Sequence, residues 1–243
     1  MLGGTSEANR AARYLEDEGY RVVQSVTTPL GERLAAGAVT EVGARDAAGL
    51  AGSATAAGAV AIVDCTHPFA VEASRAAVDA AGMMDVPYLR FTRAGHRQEE
   101  PHVIEVDGWP AAVEFMEAGG RRALLTIGVR RLDMFIGAGL DLAARVLPLP
   151  ESVGRCLELG MEPADIIAAQ PPHSVDFNRA CIRHARASLL VSKDSGIEGG
   201  LPEKVEAAAA EGAGVLLISR PREPEAITGT RELARRLRES LDS

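Results

Sequence analysis

Three stretches of this 243-residue chain hold residue types from which a reaction site could be built. The first, Asp64-Cys65-Thr66-His67-Pro68-Phe69-Ala70, sets a carboxylate, a hydroxyl and an imidazole beside a proline that stiffens the backbone. Its plainest use is a helix cap by Thr66 or Asp64; its more chemical use is proton handling by His67. The second, Gly3-Gly4-Thr5-Ser6-Glu7-Ala8, offers small residues where a backbone could approach a pyrophosphate at a helix N-terminus. It departs from G-x-G-x-x-G/A, with Thr5 at the second glycine and Ala8 at the third. The third runs from Ser192 through Lys193, Asp194, Ser195, Gly196, Gly199 and Gly200 into Pro202-Glu203-Lys204. A lysine, hydroxyls and glycines in that order suit an anion or a carbonyl.

The lysines are conspicuous for their scarcity. Of 26 basic residues, 24 are arginine, leaving Lys193 and Lys204. A planar guanidinium fork and a compact ammonium are not interchangeable. Both lysines are therefore candidates, with chance an equal rival for Lys204.

The hydrophobic pattern supplies elements to hold these stretches. Residues 59–63 are a continuous apolar run, read as a strand buried on both faces, and the Ala-rich 72–81 is read as a helix. The first stretch thus lies where a parallel strand hands over to a helix, the edge at which open α/β sheets bind ligands. A helix over 8–18 follows the glycines, and 21–26 is a second strand ending Ser25-Val26-Thr27-Thr28, with Arg33 nearby. An NAD-binding strand ends in Asp or Glu at this place, so hydroxyls and an arginine point to the 2′-phosphate of NADP(H). Upstream of Gly3 stand Met1 and Leu2 alone, so the first strand is expected to be truncated.

Further strands at 39–42, 87–91 and 103–106, a helix from Asp46 and one over 109–117 complete a first half, and Gly119-Gly120 marks a break. Strands at 123–127, 142–147, 165–169, 188–192 and 215–218 then alternate with helices to the end of the chain. The expected fold class is α/β, with two Rossmann-like domains, 1–119 and 120–243, parallel sheets, and a ligand cleft between them. In the second half, Thr126-Ile127-Gly128 and Gln170-Pro171-Pro172-His173-Ser174 are lesser stations on the same sheet edge as Lys193.

Composition narrows the classes. A net charge of −8 leaves no basic face to neutralise nucleic-acid phosphates. No apolar stretch approaches the roughly 20 residues of a bilayer span, and no secretory leader is read, so a cytoplasmic protein is expected. Three cysteines (Cys65, Cys156, Cys181) without CxxC, and five histidines without HxxxH, argue against a metal centre. Neither a G-x-S-x-G elbow nor a Walker loop is present, and Tyr14, Tyr20 and Tyr88 lack the lysine four residues on that short-chain dehydrogenases need. The residues alone lead to an enzyme that binds a nucleotide and a second ligand. A non-catalytic nucleotide sensor or a nucleotide-dependent transferase on the same scaffold is the alternative.

Gly3-Gly4-Thr5-Ser6-Glu7-Ala8, Asp64-Cys65-Thr66-His67-Pro68-Phe69-Ala70, Lys193-Asp194-Ser195-Gly196, Glu203-Lys204 and Arg220-Pro221 together resemble the precorrin-6A reductase family, in order and over nearly the whole chain. The resemblance implies reduction of a double bond in the precorrin-6A or cobalt-precorrin-6A macrocycle during cobalamin synthesis, giving precorrin-6B. It implies NADPH as hydride donor, with NADH the alternative, and other corrin-pathway enzymes as candidate partners. On this footing Gly3, Gly4 and Thr5 would cradle the pyrophosphate, and Ser25, Thr27, Thr28 and Arg33 would meet the ribose phosphate. Thr66 and His67 would line the site, with His67 the candidate proton donor. Lys193, Ser195 and Gly196 would hold the nicotinamide end or a substrate carboxylate, Lys193 being placed with His67 as catalytic. Gly128, His173, Ser174, Arg90 and Arg130, with Arg131, would meet the macrocycle. Two departures from the family stand out: Cys65 at a usual alanine, and Gln170 to Ser174 in place of a G-P-F-[ST] station.

Overall fold

The computed structural model describes residues 1–26, 35, 39–43, 45–92, 100–196, 199–221, 223 and 225–242. The strands are β1 (Val23–Val26), β2 (Val39–Val42), β3 (Ile62–Asp64), β4 (Tyr88–Arg90), β5 (Val103–Val106), β6 (Ala123–Leu125), β7 (Leu142–Val146), β8 (Ile166–Ala168), β9 (Leu189–Lys193) and β10 (Gly214–Ile218). The helices are α1 (Ser6–Asp17), α2 (Ala47–Ala56), α3 (Val71–Met84), α4 (Gly108–Gly119), α5 (Leu132–Gly137), α6 (Pro150–Glu158), α7 (Val175–Ala185), α8 (Leu201–Ala210) and α9 (Thr230–Leu241). Among the described residues every strand pairing is parallel. None of the helices among the described residues is long and apolar enough to cross a membrane.

The chain groups into two compact units, Met1–Ala94 with Pro221–Ser243, and Gly95–Arg220. This differs from the expected division at 119/120, and pairing is the reason. β5 lies before that boundary yet takes β10 as its partner, with Val103 opposite Val215. Beyond β10 the chain returns to the first unit, where Ile227 bridges Phe91.

In the first unit β1 pairs with β2, and β3 with β4. Leu2 joins the two pairs by bridging both Ser25 and Asp64. The expected missing strand is thus represented by Met1 and Leu2. Ser25 N donates to Met1 O (2.8 Å), Gly3 N to Ser25 O (2.8 Å), Leu2 N to Val63 O (2.8 Å) and Cys65 N to Leu2 O (3.1 Å). The resulting order, β2, β1, Leu2, β3, β4, Ile227, reverses direction between Leu2 and β3, and a ligand crevice forms at such a reversal.

Both faces of this sheet are covered. On one, Ala8, Ala11, Ala12 and Leu15 of α1 pack with Leu233, Ala234 and Leu237 of α9. On the other, Leu50 and Ala51 of α2 meet Ala77, Ala80 and Ala81 of α3 over Leu2 and Ile62. Alanine at the contact positions of α1 and α3 lets these helices lie close against the strands, as the low aromatic content leads one to expect.

The second unit is one sheet of order β5-β10-β9-β6-β7-β8. From β6 the chain winds outward through β7 to β8, then returns to β9 and winds the other way. The reversal here falls between β6 and β9. Leu124, Leu190, Val215 and Leu217 of its strands are fully buried against Cys181 and Ile182 of α7 and Leu201, Val205 and Ala208 of α8.

Candidate functional site

In the first unit, the glycine stretch and the Asp64–Ala70 stretch leave the neighbouring strand positions at the reversal. Thr5 caps α1, its hydroxyl accepting from Ala8 N (3.0 Å) and donating to Cys65 O (3.0 Å). That hydroxyl therefore joins the two turns to each other; its use is positional. Gly4 takes φ +98°, the left-handed region that favours glycine, and nothing lies within 4 Å of where a side chain would start. The turn thus presents open backbone at the N-terminus of a twelve-residue helix, the place where a pyrophosphate is best held. Glu7, in the first helical turn, is buried.

Asp64 is buried and shapes its own turn. Oδ1 accepts from Thr66 N (2.9 Å), and Oδ2 accepts from the Tyr88 hydroxyl (2.9 Å). Neither Asp64 nor Thr66 caps α3, whose N-cap is Ala70 without a side-chain bond. Arg90 completes the frame. Its Nη1 lies 3.2 Å from Asp64 Oδ1 and donates to Asp64 O (3.1 Å) and Thr66 O (3.0 Å), while Nε donates to Glu223 (2.8 Å). Burial works against the Arg90 charge, but Asp64 and Glu223 outweigh it and raise its pKa. Arg90 was expected to meet the macrocycle; it is instead 8% exposed and braces the turn from below. Burial, with Asp64 next to it, likewise drives the Tyr88 phenol upward.

His67 is partly exposed on this frame, and Phe69 N donates to its Nδ1 (3.3 Å). With Nδ1 accepting, the ring hydrogen sits on Nε2, so this imidazole is arranged to donate a hydrogen bond. Cys65 is fully buried beside it, its thiol pushed up to about 12 chiefly by burial, which leaves it unreactive. Of the residues expected at the adenosine end, Ser25 stands at the crevice end of β1, while Thr27, Thr28 and Arg33 lie outside the described residues.

In the second unit, Lys193 ends β9 and Gly128 follows β6, so both reach the reversal. Lys193 is held below its ordinary pKa by burial and then by Arg130, so Arg130 also faces this place. Arg131 is exposed at the start of α5. The turn after Lys193 is closely tied. Ser195 N donates to Lys193 O (2.7 Å), Gly196 N to Asp194 Oδ1 (3.2 Å), and Ser195 Oγ to Gly199 O (3.1 Å). Asp194 is clamped in turn by Arg220, through Nε (2.6 Å) and Nη2 (2.9 Å). Gly196 takes φ +66°.

Ser174 turns out to be the cap of α7, accepting from Phe177 N (3.2 Å). His173 stacks on Phe177 with 4.9 Å between ring centroids. Its pKa falls to about 4, through burial first and then Arg145 and Lys204. His173 is therefore neutral at physiological pH and shares its surroundings with two cations.

Those two cations are what the sequence reading missed or undervalued. Arg145, in the apolar strand β7, is 6% exposed; its Nη1 donates to Asn178 Oδ1 (2.7 Å), and its guanidinium carbon lies 6.0 Å from the Phe177 ring centroid. Lys204 of α8 is 8% exposed, its Nζ donating to Ser192 Oγ (3.3 Å) and Gly199 O (3.2 Å). Among the described residues neither forms an ion pair, although a buried charge ordinarily takes a counter-charge. A charged residue inside the run Leu142-Ala143-Ala144-Arg145-Val146 was the available signal for the first. No group of side chains suited to a metal ion occurs among the described residues.

The family model for precorrin-6x reductase CbiJ/CobK matches residues 1–238. The cobalt-precorrin-6A reductase of Methanothermobacter thermautotrophicus is 36% identical, over 94% of this chain and 79% of its own. That of Priestia megaterium is 32% identical, over 91% of this chain and 90% of its own. Among solved structures, CobK precorrin-6A reductase superposes with a TM-score of 0.75 at 26% identity, covering 98% of this chain and 95% of its own. This chain belongs to the precorrin-6x reductase family.

Proposed function

We propose that the protein reduces a carbon–carbon double bond of precorrin-6A or its cobalt form to the 6B level, in cobalamin synthesis in the cytoplasm, with NADPH as hydride donor. The observation that carries the reading is the cluster of buried cations in the second unit. Arg145 and Lys204 form no ion pair among the described residues, although Glu203 lies near Lys204, and Lys204 bonds the segment that carries Lys193, Ser195 and Gly196. Such a set suits a ligand rich in carboxylates, which is what a precorrin macrocycle is. A non-catalytic nucleotide sensor would not need it.

The residues of the first unit fit a dinucleotide. Gly4 offers open backbone at the α1 N-terminus for the pyrophosphate, Gly3 packs against Gln24 and Val26 and leads into it, and Thr5 fixes the turn through Ala8 N and Cys65 O. When bound, the reduced nicotinamide supplies the hydride, and the protein's part is placement and electrostatics. Thr66 and His67 line the nicotinamide end on the frame built by Asp64 and Arg90. His67 donates through Nε2 and orients; solvent or a substrate carboxyl delivers the proton that completes the reduction. Ser25, with Thr27, Thr28 and Arg33, selects the 2′-phosphate. Lys193, Ser195 and Gly196 take a carboxylate of the macrocycle, with Gly128, Arg130, Arg131 and His173 around it. Enzymes of corrin assembly would supply and remove the macrocycle.

Steady-state turnover tests this. Protein mixed with precorrin-6A should consume NADPH, and NADH more slowly. Absence of turnover with either nucleotide, or tighter binding of S-adenosylmethionine than of NADPH, would overturn the reading.

A further inference from the structure

Lys204, for which chance was an equal rival reading, has a definite place in the fold. Lys204 sits one helical turn into α8, and its ammonium bonds one residue on each side of the Lys193–Gly196 turn. One is the carbonyl of Gly199. The other is the Ser192 hydroxyl, which itself donates to Lys193 O (3.2 Å). Through Ser192 the ammonium thus reaches the carbonyl that also receives Ser195 N.

We infer that Lys204 is a positioning residue, which latches the Lys193–Gly196 turn and frees the Ser195 hydroxyl to serve an anionic ligand. This rests on the proposed placement of a macrocycle carboxylate at that turn. The reasoning is one of hydrogen-bond satisfaction. Gly199 O accepts from both Ser195 Oγ (3.1 Å) and Lys204 Nζ (3.2 Å). When Ser195 turns its hydrogen to a ligand, Lys204 still satisfies that carbonyl. Without Lys204 the same rotation would leave a half-buried acceptor with no protein partner, at an equilibrium cost of up to about tenfold.

The chain also comes as close here as atoms allow. A side-chain carbon placed on Gly199 would stand 2.2 Å from Ser195 Cβ, so small displacements of either residue are felt by the other. A guanidinium is too wide and flat to bond a hydroxyl and a carbonyl from one point, which accounts for a lysine in so arginine-rich a chain.

The groups facing the ammonium are Arg145 from β7, Lys193 from β9, Glu203 on its own helix, and His173 ahead of α7. Burial, then Arg145 and Lys193, bring Lys204 down to about 7, with Glu203 opposing. A carboxylate entering the turn adds a negative charge nearby and favours the ammonium, so binding draws in a proton and weakens as pH climbs past neutrality.

The test uses the full chain with Lys204→Met and Ser195→Ala, singly and combined. In the free protein, Lys204→Met should speed exchange of the Gly199 and Leu201 amide hydrogens by about tenfold. It should raise KM for precorrin-6A by about tenfold while kcat stays within about threefold, and the double variant should lose no more than the worse single one. The rise of KM above neutral pH should be much reduced in Lys204→Met. Unchanged exchange, additive KM losses, or an undiminished pH limb would each overturn the latch. Faster exchange in Lys204→Met together with a silent Ser195→Ala would uphold the latch and reject the macrocycle as its ligand.

Discussion

Replacing Asp64 by alanine should damage the first turn through Arg90. The carboxylate is fully buried and lies 3.2 Å from the Arg90 guanidinium, which is itself 8% exposed. Removing one member of a buried pair costs about 3–5 kcal/mol, because the other charge is left behind. Glu223, 2.8 Å from Arg90 Nε, softens this toward the lower end. Tyr88 and Thr66 N lose an acceptor as well. A net loss of about 3 kcal/mol should lower Tm by roughly 6–12 °C in a chain of this size. Calorimetry of Asp64→Ala reads the number directly. The control is Asp64→Ala with Arg90→Met, which removes both charges and should recover at least half of the loss. A fall in Tm below about 2 °C, or a double variant no better than the single, would refute the brace argument.

Three further outcomes follow from the structure. Lys204→Met should stabilise the free protein at low pH. The folded pKa of about 7 lies below the ordinary 10.5, so the unfolded chain binds more protons between these values and wild-type stability rises with pH across that window. The penalty is complete below about 7, where it approaches roughly 5 kcal/mol, and two lost hydrogen bonds return about 2 kcal/mol of it. Denaturation with urea should therefore find the variant about 3 kcal/mol more stable near pH 6, with the advantage gone by pH 10. In kinetics, Lys193→Ala should raise KM for the macrocycle more than about tenfold and spare NADPH, whereas Gly4→Ala, strained at φ +98°, should do the reverse.

Much of this was legible in the sequence because it is local. Continuous apolar runs announced buried parallel strands only in part: 123–127 holds β6, whereas of 59–63 only Ile62 and Val63 fall in β3 and Val60 is 57% exposed. The turns that end these runs announced the crevices. β2 and β5 fall on 39–42 and 103–106 as read. Partner choice was not legible. Nothing in Val103 to Val106 says that it will pair with Val215 to Ile218, more than a hundred positions on, and the division of the chain follows from that pairing. Side-chain duty was only partly legible. Arg90 was read as a ligand arginine on type alone, and burial made it a brace. Ser174 precedes a helix, and that position alone could have identified it as a cap. Lys204 stands in an ordinary helical context; its worth comes from residues of β7 and β9 that only the fold brings near.

The central claim is hydride transfer to the macrocycle, and its most direct test is isotopic. A single turnover with NADPH deuterated at the nicotinamide C4 should give a reduced macrocycle carrying one deuterium from the cofactor, its second new hydrogen coming from solvent. A reduced macrocycle without deuterium from either face of the cofactor would contradict the account.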